Sequence, residues 1–186
     1  MHHSGQNIFF VGPMGSGKTT IGRLVAKELG LEFHDCDQDL EQITGASVNL
    51  IFDIEGEAGF RKRETQLLKD ISEMKGVLVA TGGGVVTRAE NRKLLSRNGL
   101  VVWLKTEIHQ QISRLSQDKS RPLLQSSDRE ETLQKLALER DPLYREVCDL
   151  VFTSPNRSLA FSASKLSTQI RDHWAVQATG EVHAKH

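Results

Sequence analysis

One stretch limits the possible folds more than any other: Gly12-Pro13-Met14-Gly15-Ser16-Gly17-Lys18-Thr19, directly behind the apolar run Asn7-Ile8-Phe9-Phe10-Val11. Beyond it, Ile21, Leu24, Val25 and Leu29 recur at helical spacing, and Gly30 stands where a helix stop belongs. The order is buried strand, glycine-rich loop, amphipathic helix. In that setting the spacing Gly-x-x-x-x-Gly-Lys-Thr turns successive backbone N–H groups toward a phosphate at a helix N-terminus that already favours anions. Lys18 adds a mobile cation for terminal phosphates, and the Thr19 hydroxyl is a candidate Mg²⁺ ligand.

Further strands are predicted at 31–35, 76–80, 100–104 and 150–152. Helices are predicted at 38–44, 48–74 (interrupted near Gly56 and Gly59), 89–97 and 158–174. Strands alternating with helices imply an α/β fold whose parallel sheet is covered on both faces. A chain of 186 residues fits one domain, placed at 7–174, with residues 1–6 and 175–186 expected to be disordered. Hydrophobic residues at 38% and charged residues at 26% exclude a largely disordered chain. Lysine plus arginine number 24 and aspartate plus glutamate 24, so the basic excess expected of a nucleic-acid binder is missing. The longest apolar runs, such as Leu100-Val101-Val102-Trp103-Leu104, are too short to span a bilayer. Cys36 and Cys148 lack the spacing of a disulfide framework or a zinc site, which points to packing roles and a reducing cytoplasm.

Neither 77–81 nor 101–105 ends in the acid that closes a typical Walker B strand, so the metal must find another carboxylate. Asp35 and Asp37, at the end of the second strand and beside the glycine loop in a doubly wound sheet, are the candidates. Their spacing of two puts both side chains on one face if the strand persists that far. One would help hold the metal and the other would accept a proton from a substrate hydroxyl, unless Asp37 or Asp39 only caps the next helix. Thr81-Gly82-Gly83-Gly84 follows a strand, where three glycines imply close approach of another group, plausibly a ligand. Asp53-Ile54-Glu55-Gly56 reads as a helix boundary. Arg61, Arg121 and Arg140 are candidates to face a crevice and converge on a small anion. The polar run from 116 to 128 reads as a mobile lid that carries Arg121. His34 is read as structural, without an evident partner.

Taken in order, these pieces resemble the shikimate kinase family. The opening Gly12 to Arg23 is joined by Asp35-Cys36-Asp37, Gly59-Phe60-Arg61-x-x-Glu64, Gly82-Gly83-Gly84, Arg121-Pro122-Leu123-Leu124 and Arg140-x-Pro142-Leu143-Tyr144. The resemblance implies a three-layer P-loop kinase fold: a five-stranded parallel sheet flanked by helices, a substrate-binding helical insertion near 35–62 and a lid near 115–128. It also implies transfer of the ATP γ-phosphoryl group to the 3-hydroxyl of shikimate, with Mg²⁺, by a monomer. In that reading Asp37 is the base and holds ring hydroxyls, Arg61 and Arg140 clamp the carboxylate, and backbone at Gly82 and Gly83 meets ring substituents. Gly15, Ser16, Gly17, Lys18, Thr19, Thr20 and Arg121 hold the phosphates, with Lys18 and Arg121 also catalytic. Thr19 and Asp35 position the metal, and Arg114 and Arg157 flank the adenine. A gluconate or nucleoside monophosphate kinase, or a non-catalytic ATP-dependent switch, is the alternative.

Overall fold

The computed structural model describes residues 6–116, 129–155 and 157–183. Its elements are β1 (Asn7–Val11), α1 (Lys18–Leu29), β2 (Glu32–Asp35), α2 (Cys36–Thr44), α3 (Val48–Ser72) and β3 (Val77–Ala80). A short 3₁₀ turn at Val85–Thr87 leads to α4 (Ala89–Asn98), β4 (Gly99–Lys105), α5 (Ile108–Leu115), α6 (Arg129–Val147), β5 (Leu150–Thr153) and α7 (Leu159–His183).

All strand pairs are parallel, in the order β2-β3-β1-β4-β5. Alternation along the strands divides the core in two. Phe9, Val11, Val77, Val79, Val101 and Trp103 face α2, α3, α4 and α6. Ile8, Phe10, Leu78, Leu100, Val102 and Leu104 face α1 and α7. Because the inner strands are buried on both faces, they read as unbroken apolar runs. β1 and β3 are neighbours, yet α1 and α4 leave them toward opposite faces of the sheet. A crevice therefore opens at their carboxyl ends, where such sheets bind ligands.

Four sequence expectations change in detail. β2 lies at the sheet edge with β3 between it and β1, so its acids reach the glycine loop across the end of β3 rather than from an adjacent strand. The strand also stops at Asp35 and α2 starts at Cys36, so Asp35 and Asp37 do not share a strand face. Gly56 does interrupt α3, at φ 68° and ψ −178°, whereas Gly59 sits inside regular helix. Finally, α7 continues to His183, well past 174. Among the described residues no helix is long and apolar enough to cross a membrane.

Candidate active site

The crevice is a cleft of about 480 Å³. Its walls bring together Gly15, Gly17, Lys18, Thr19 and Thr20 from the loop and α1, Asp35 and Asp37 from the β2–α2 junction, Arg61 and Glu64 from α3, Gly82 and Gly83 behind β3, and Arg140 from α6. Ser16 is buried beneath the loop.

On the nucleotide side, Lys18 Nζ donates to the carbonyls of Gly12 and Pro13, both at 2.8 Å, and to Ser16 Oγ at 3.4 Å. The ammonium is thus held over the loop that would surround a phosphate. Thr19 Oγ1 donates to Asp35 Oδ2 at 2.6 Å. The other Asp35 oxygen accepts from the backbone N–H groups of Asp37 and Gln38, at 3.1 and 3.2 Å. Asp35, rather than Asp37 or Asp39, is therefore the N-cap of α2. Its cap geometry aims one oxygen at the Thr19 hydroxyl and leaves Asp37 in the first helical turn, where the helix dipole stabilises a carboxylate.

Opposite the loop, Arg61 is buried and doubly paired. Nη1 meets Glu64 Oε2 at 2.8 Å and Nη2 meets Glu57 Oε1 at 3.2 Å. Burial works against the guanidinium charge, but the Glu64 and Glu57 carboxylates outweigh it and hold the group protonated more firmly than usual. Burial pushes the Glu64 carboxyl up, with Arg61 pulling the other way and the nearby Asp37 charge adding to the rise. Glu64 Oε1 is buried without a hydrogen-bond partner. Arg140 is also buried, its Nε is unpartnered, and it lines the same cleft. A buried guanidinium at the wall of a cavity, with an N–H left unsatisfied, is suited to an anion.

The glycine triplet explains itself here. Gly82, Gly83 and Gly84 all have negative φ, so backbone freedom is not what the turn needs. A Cβ on Gly82 would lie 2.6 Å from Glu64 Oε1, and one on Gly84 would run into the Arg61 guanidinium. The close-approach reading is right, but the approaching groups include the protein's own side chains.

Arg114 and Arg157 fall outside the cleft walls. Arg114 is exposed and donates to the Gly15 carbonyl at 3.0 Å, tying α5 to the loop. Arg157 is exposed on the turn before α7 and does not line the cleft. Arg121, and all of the predicted 115–128 lid from 117 onward, lie outside the described residues. His34, read as partnerless, has Nδ1 2.7 Å from Asp39 Oδ2 and Nε2 3.3 Å from Glu32 Oε1. Glu57 and Glu64 had been given no role, although the spacings Glu57 to Arg61 and Arg61 to Glu64 are those of side chains meeting on one helix face.

The donor set suits Mg²⁺. A hydroxyl and one carboxylate are hard oxygen donors, and Mg²⁺ is usually held by one or two carboxylates together with substrate phosphates. Among the described residues no group of three or more His, Cys, Asp or Glu could hold a metal unaided.

The family model described as shikimate kinase matches residues 14–171. The chain belongs to the shikimate kinase family. The shikimate kinase of Shewanella baltica is 49% identical over 165 residues, covering 89% of this chain and 96% of that protein. Among solved structures, the shikimate kinase from Acinetobacter baumannii in complex with shikimate is 45% identical with a TM-score of 0.88, covering 90% of this chain and 94% of that one. A gluconokinase from Sinorhizobium meliloti covers 94% of this chain and 98% of its own at a TM-score of 0.62, but with 15% identity it shares the fold alone. As a shikimate kinase family member the chain is an ATP-dependent phosphotransferase acting on an alcohol.

Proposed function

We propose that the chain transfers the γ-phosphoryl group of ATP to the 3-hydroxyl of shikimate, releasing shikimate 3-phosphate and ADP. The observation that carries this is the cleft itself: two buried arginines, Arg61 and Arg140, line it together with a glycine turn, Asp37 and Lys18. Shikimate has one carboxylate and three hydroxyls, which match that lining group for group. A neighbour with 45% identity was solved in complex with shikimate.

Phosphoryl transfer asks for positioning and charge stabilisation more than covalent chemistry. Arg61 and Arg140 hold the carboxylate, and backbone at Gly82 and Gly83 supports the ring. Asp37 then accepts the proton of the attacking hydroxyl. On the far side, the N–H groups around Gly15, Ser16, Gly17 and Thr20 receive the triphosphate, and Lys18 leaves the loop carbonyls to follow the charge as it shifts. Thr19 and Asp35 would hold Mg²⁺, which would supply neutralisation of phosphate charge when bound. Arg121 adds positive charge to the group in transit, and Arg114 and Arg157 flank the adenine. On the same reading the enzyme is a monomer working in the cytoplasm.

ADP release measured against a panel of acceptors tests the assignment. Shikimate should drive turnover, with gluconate, AMP and CMP barely above background. A preference for gluconate or a nucleotide would overturn it.

A further inference from the structure

Tyr144 stands on α6, one turn beyond Arg140, and is 1% exposed. Its hydroxyl donates to the carbonyl of Gly83. The positive charge of Arg140, one turn back on the same helix, acts on the same hydroxyl. Burial also keeps that hydroxyl protonated far above the ordinary phenol range, so it remains a donor at any working pH. The ring is wedged against Trp103, with centroids 5.7 Å apart and planes tilted by 32°. Trp103 is itself flanked by the cations of Lys105 and Arg145, at 5.9 and 5.7 Å from its ring.

The turn beneath the cleft is secured at three points. The carbonyls of Gly82 and Gly84 accept from the N–H groups of Val85 and Thr87, at 3.2 and 3.1 Å. The Gly83 carbonyl between them is taken by Tyr144. Gly84 in turn lies against Arg61. The helix that carries Arg140 is therefore joined through Tyr144 and the glycine turn to Arg61.

We propose that Tyr144 is a positioning residue for the acceptor's carboxylate: its hydroxyl ties α6, one turn from Arg140, to the glycine turn and so sets the spacing between Arg140 and Arg61. This rests on the reading of those two arginines as the carboxylate clamp. Phenylalanine would fill the same space against Trp103, so the hydroxyl's part can be separated from the ring's.

Steady-state kinetics of Tyr144→Phe, Arg140→Ala and the wild type, with shikimate and with its methyl ester, test the proposal. One hydrogen bond's worth of coupling predicts that Tyr144→Phe raises KM for shikimate by about 3- to 10-fold, with KM for ATP and the thermal midpoint nearly unchanged. With the methyl ester, which lacks the carboxylate charge, the two enzymes should give nearly equal KM values. An unaltered KM for shikimate in Tyr144→Phe, alongside a large rise in Arg140→Ala, would overturn the role of Tyr144 and leave the clamp standing. An unaltered KM in Arg140→Ala would remove the clamp itself. Equal losses toward shikimate, its ester and ATP would mark Tyr144 as packing only, and overturn the proposal.

Discussion

Arg61 and Arg140 bring the same group to one cleft under opposite circumstances. Arg61 enters already matched by Glu57 and Glu64, while Arg140 has a buried N–H to spare. An incoming carboxylate competes more easily with Glu57, whose side chain is 57% exposed, than with Glu64 at 2%. Glu64 thus keeps one edge of the guanidinium in place while the other is exchanged. Gly84 enforces that placement. Its φ of −92° and ψ of 3° are open to any residue, so alanine there would act through Arg61 and not through backbone strain. Gly84→Ala should raise KM for shikimate by about tenfold, roughly 1.4 kcal/mol, while ATP binding is retained. Initial-rate measurements with each substrate varied separately will show it. Asp37→Asn should lower kcat by roughly 10²–10⁴ with an unchanged circular dichroism spectrum, because it removes the proton acceptor and keeps the shape. Normal turnover in that variant would reduce Asp37 to a first-turn charge on α2.

Two helices owe their usefulness to how they begin and break. α2 starts where Asp35 caps it, and the same side chain reaches Thr19, so the start of the helix is tied to the phosphate loop. α3 breaks at Gly56, which lets the Phe52 and Phe60 rings from either side of the break stack at 4.5 Å. A Cβ at Gly56 would meet nothing within 4 Å. Any cost of substitution there is conformational. Its φ of 68° with ψ of −178° is a combination reserved almost wholly for glycine, so Gly56→Ala should destabilise the fold by about 1–3 kcal/mol. Gly30, the cap of α1, lies in the ordinary left-handed region at φ 69° and ψ 34°, also with free space around it. Gly30→Ala should therefore cost less, about 1 kcal/mol. Urea unfolding of both variants, read as a shift in midpoint at constant slope, tests that ranking.

The sheet separates the molecule into a face that supports and a face that reacts. α1 and α7 seal one side through Ile21, Val25, Leu166, Ile170 and Trp174. Every acceptor-side group, Asp37, Arg61, Glu64, Arg140 and Tyr144, comes from helices of the other side. That side carries a buried acid whose native carboxyl is harder to ionise than in the unfolded chain. Between the ordinary value of 4.5 and its raised one, the native state binds a proton that the unfolded state has lost. The contribution of Glu64 to stability is thus fully present below 4.5 and is lost as pH rises through the native value. Glu64→Gln cannot ionise, so its stability relative to the parent should improve as pH rises across this window. Chemical denaturation in steps between pH 4 and pH 8 will measure it; a difference independent of pH would contradict the assignment. A buried charge retained at such a cost fits a functional role more readily than a packing one.

How much of this was legible in the chain depends on how far apart the partners lie. The strand, glycine loop and helix from 7 to 29 were plain, because apolar continuity, helical periodicity and turn residues are local and each reports its own backbone state. The same local logic exposed all five strands, the parallel sheet and the break at Gly56. It also singled out Asp37, Arg61, the glycine triplet and Arg140 as separate pieces. Their meeting was another matter. The insertion of β3 between β2 and β1, the reach of Asp35 to Thr19, the fit of Gly84 against Arg61 and the bond from Tyr144 to Gly83 across 61 residues exist only once the sheet has closed. No periodicity encodes contacts between distant segments. They arise because burying both faces of one sheet brings the ends of β1 and β3 together, and with them groups that nothing in their own neighbourhoods had joined.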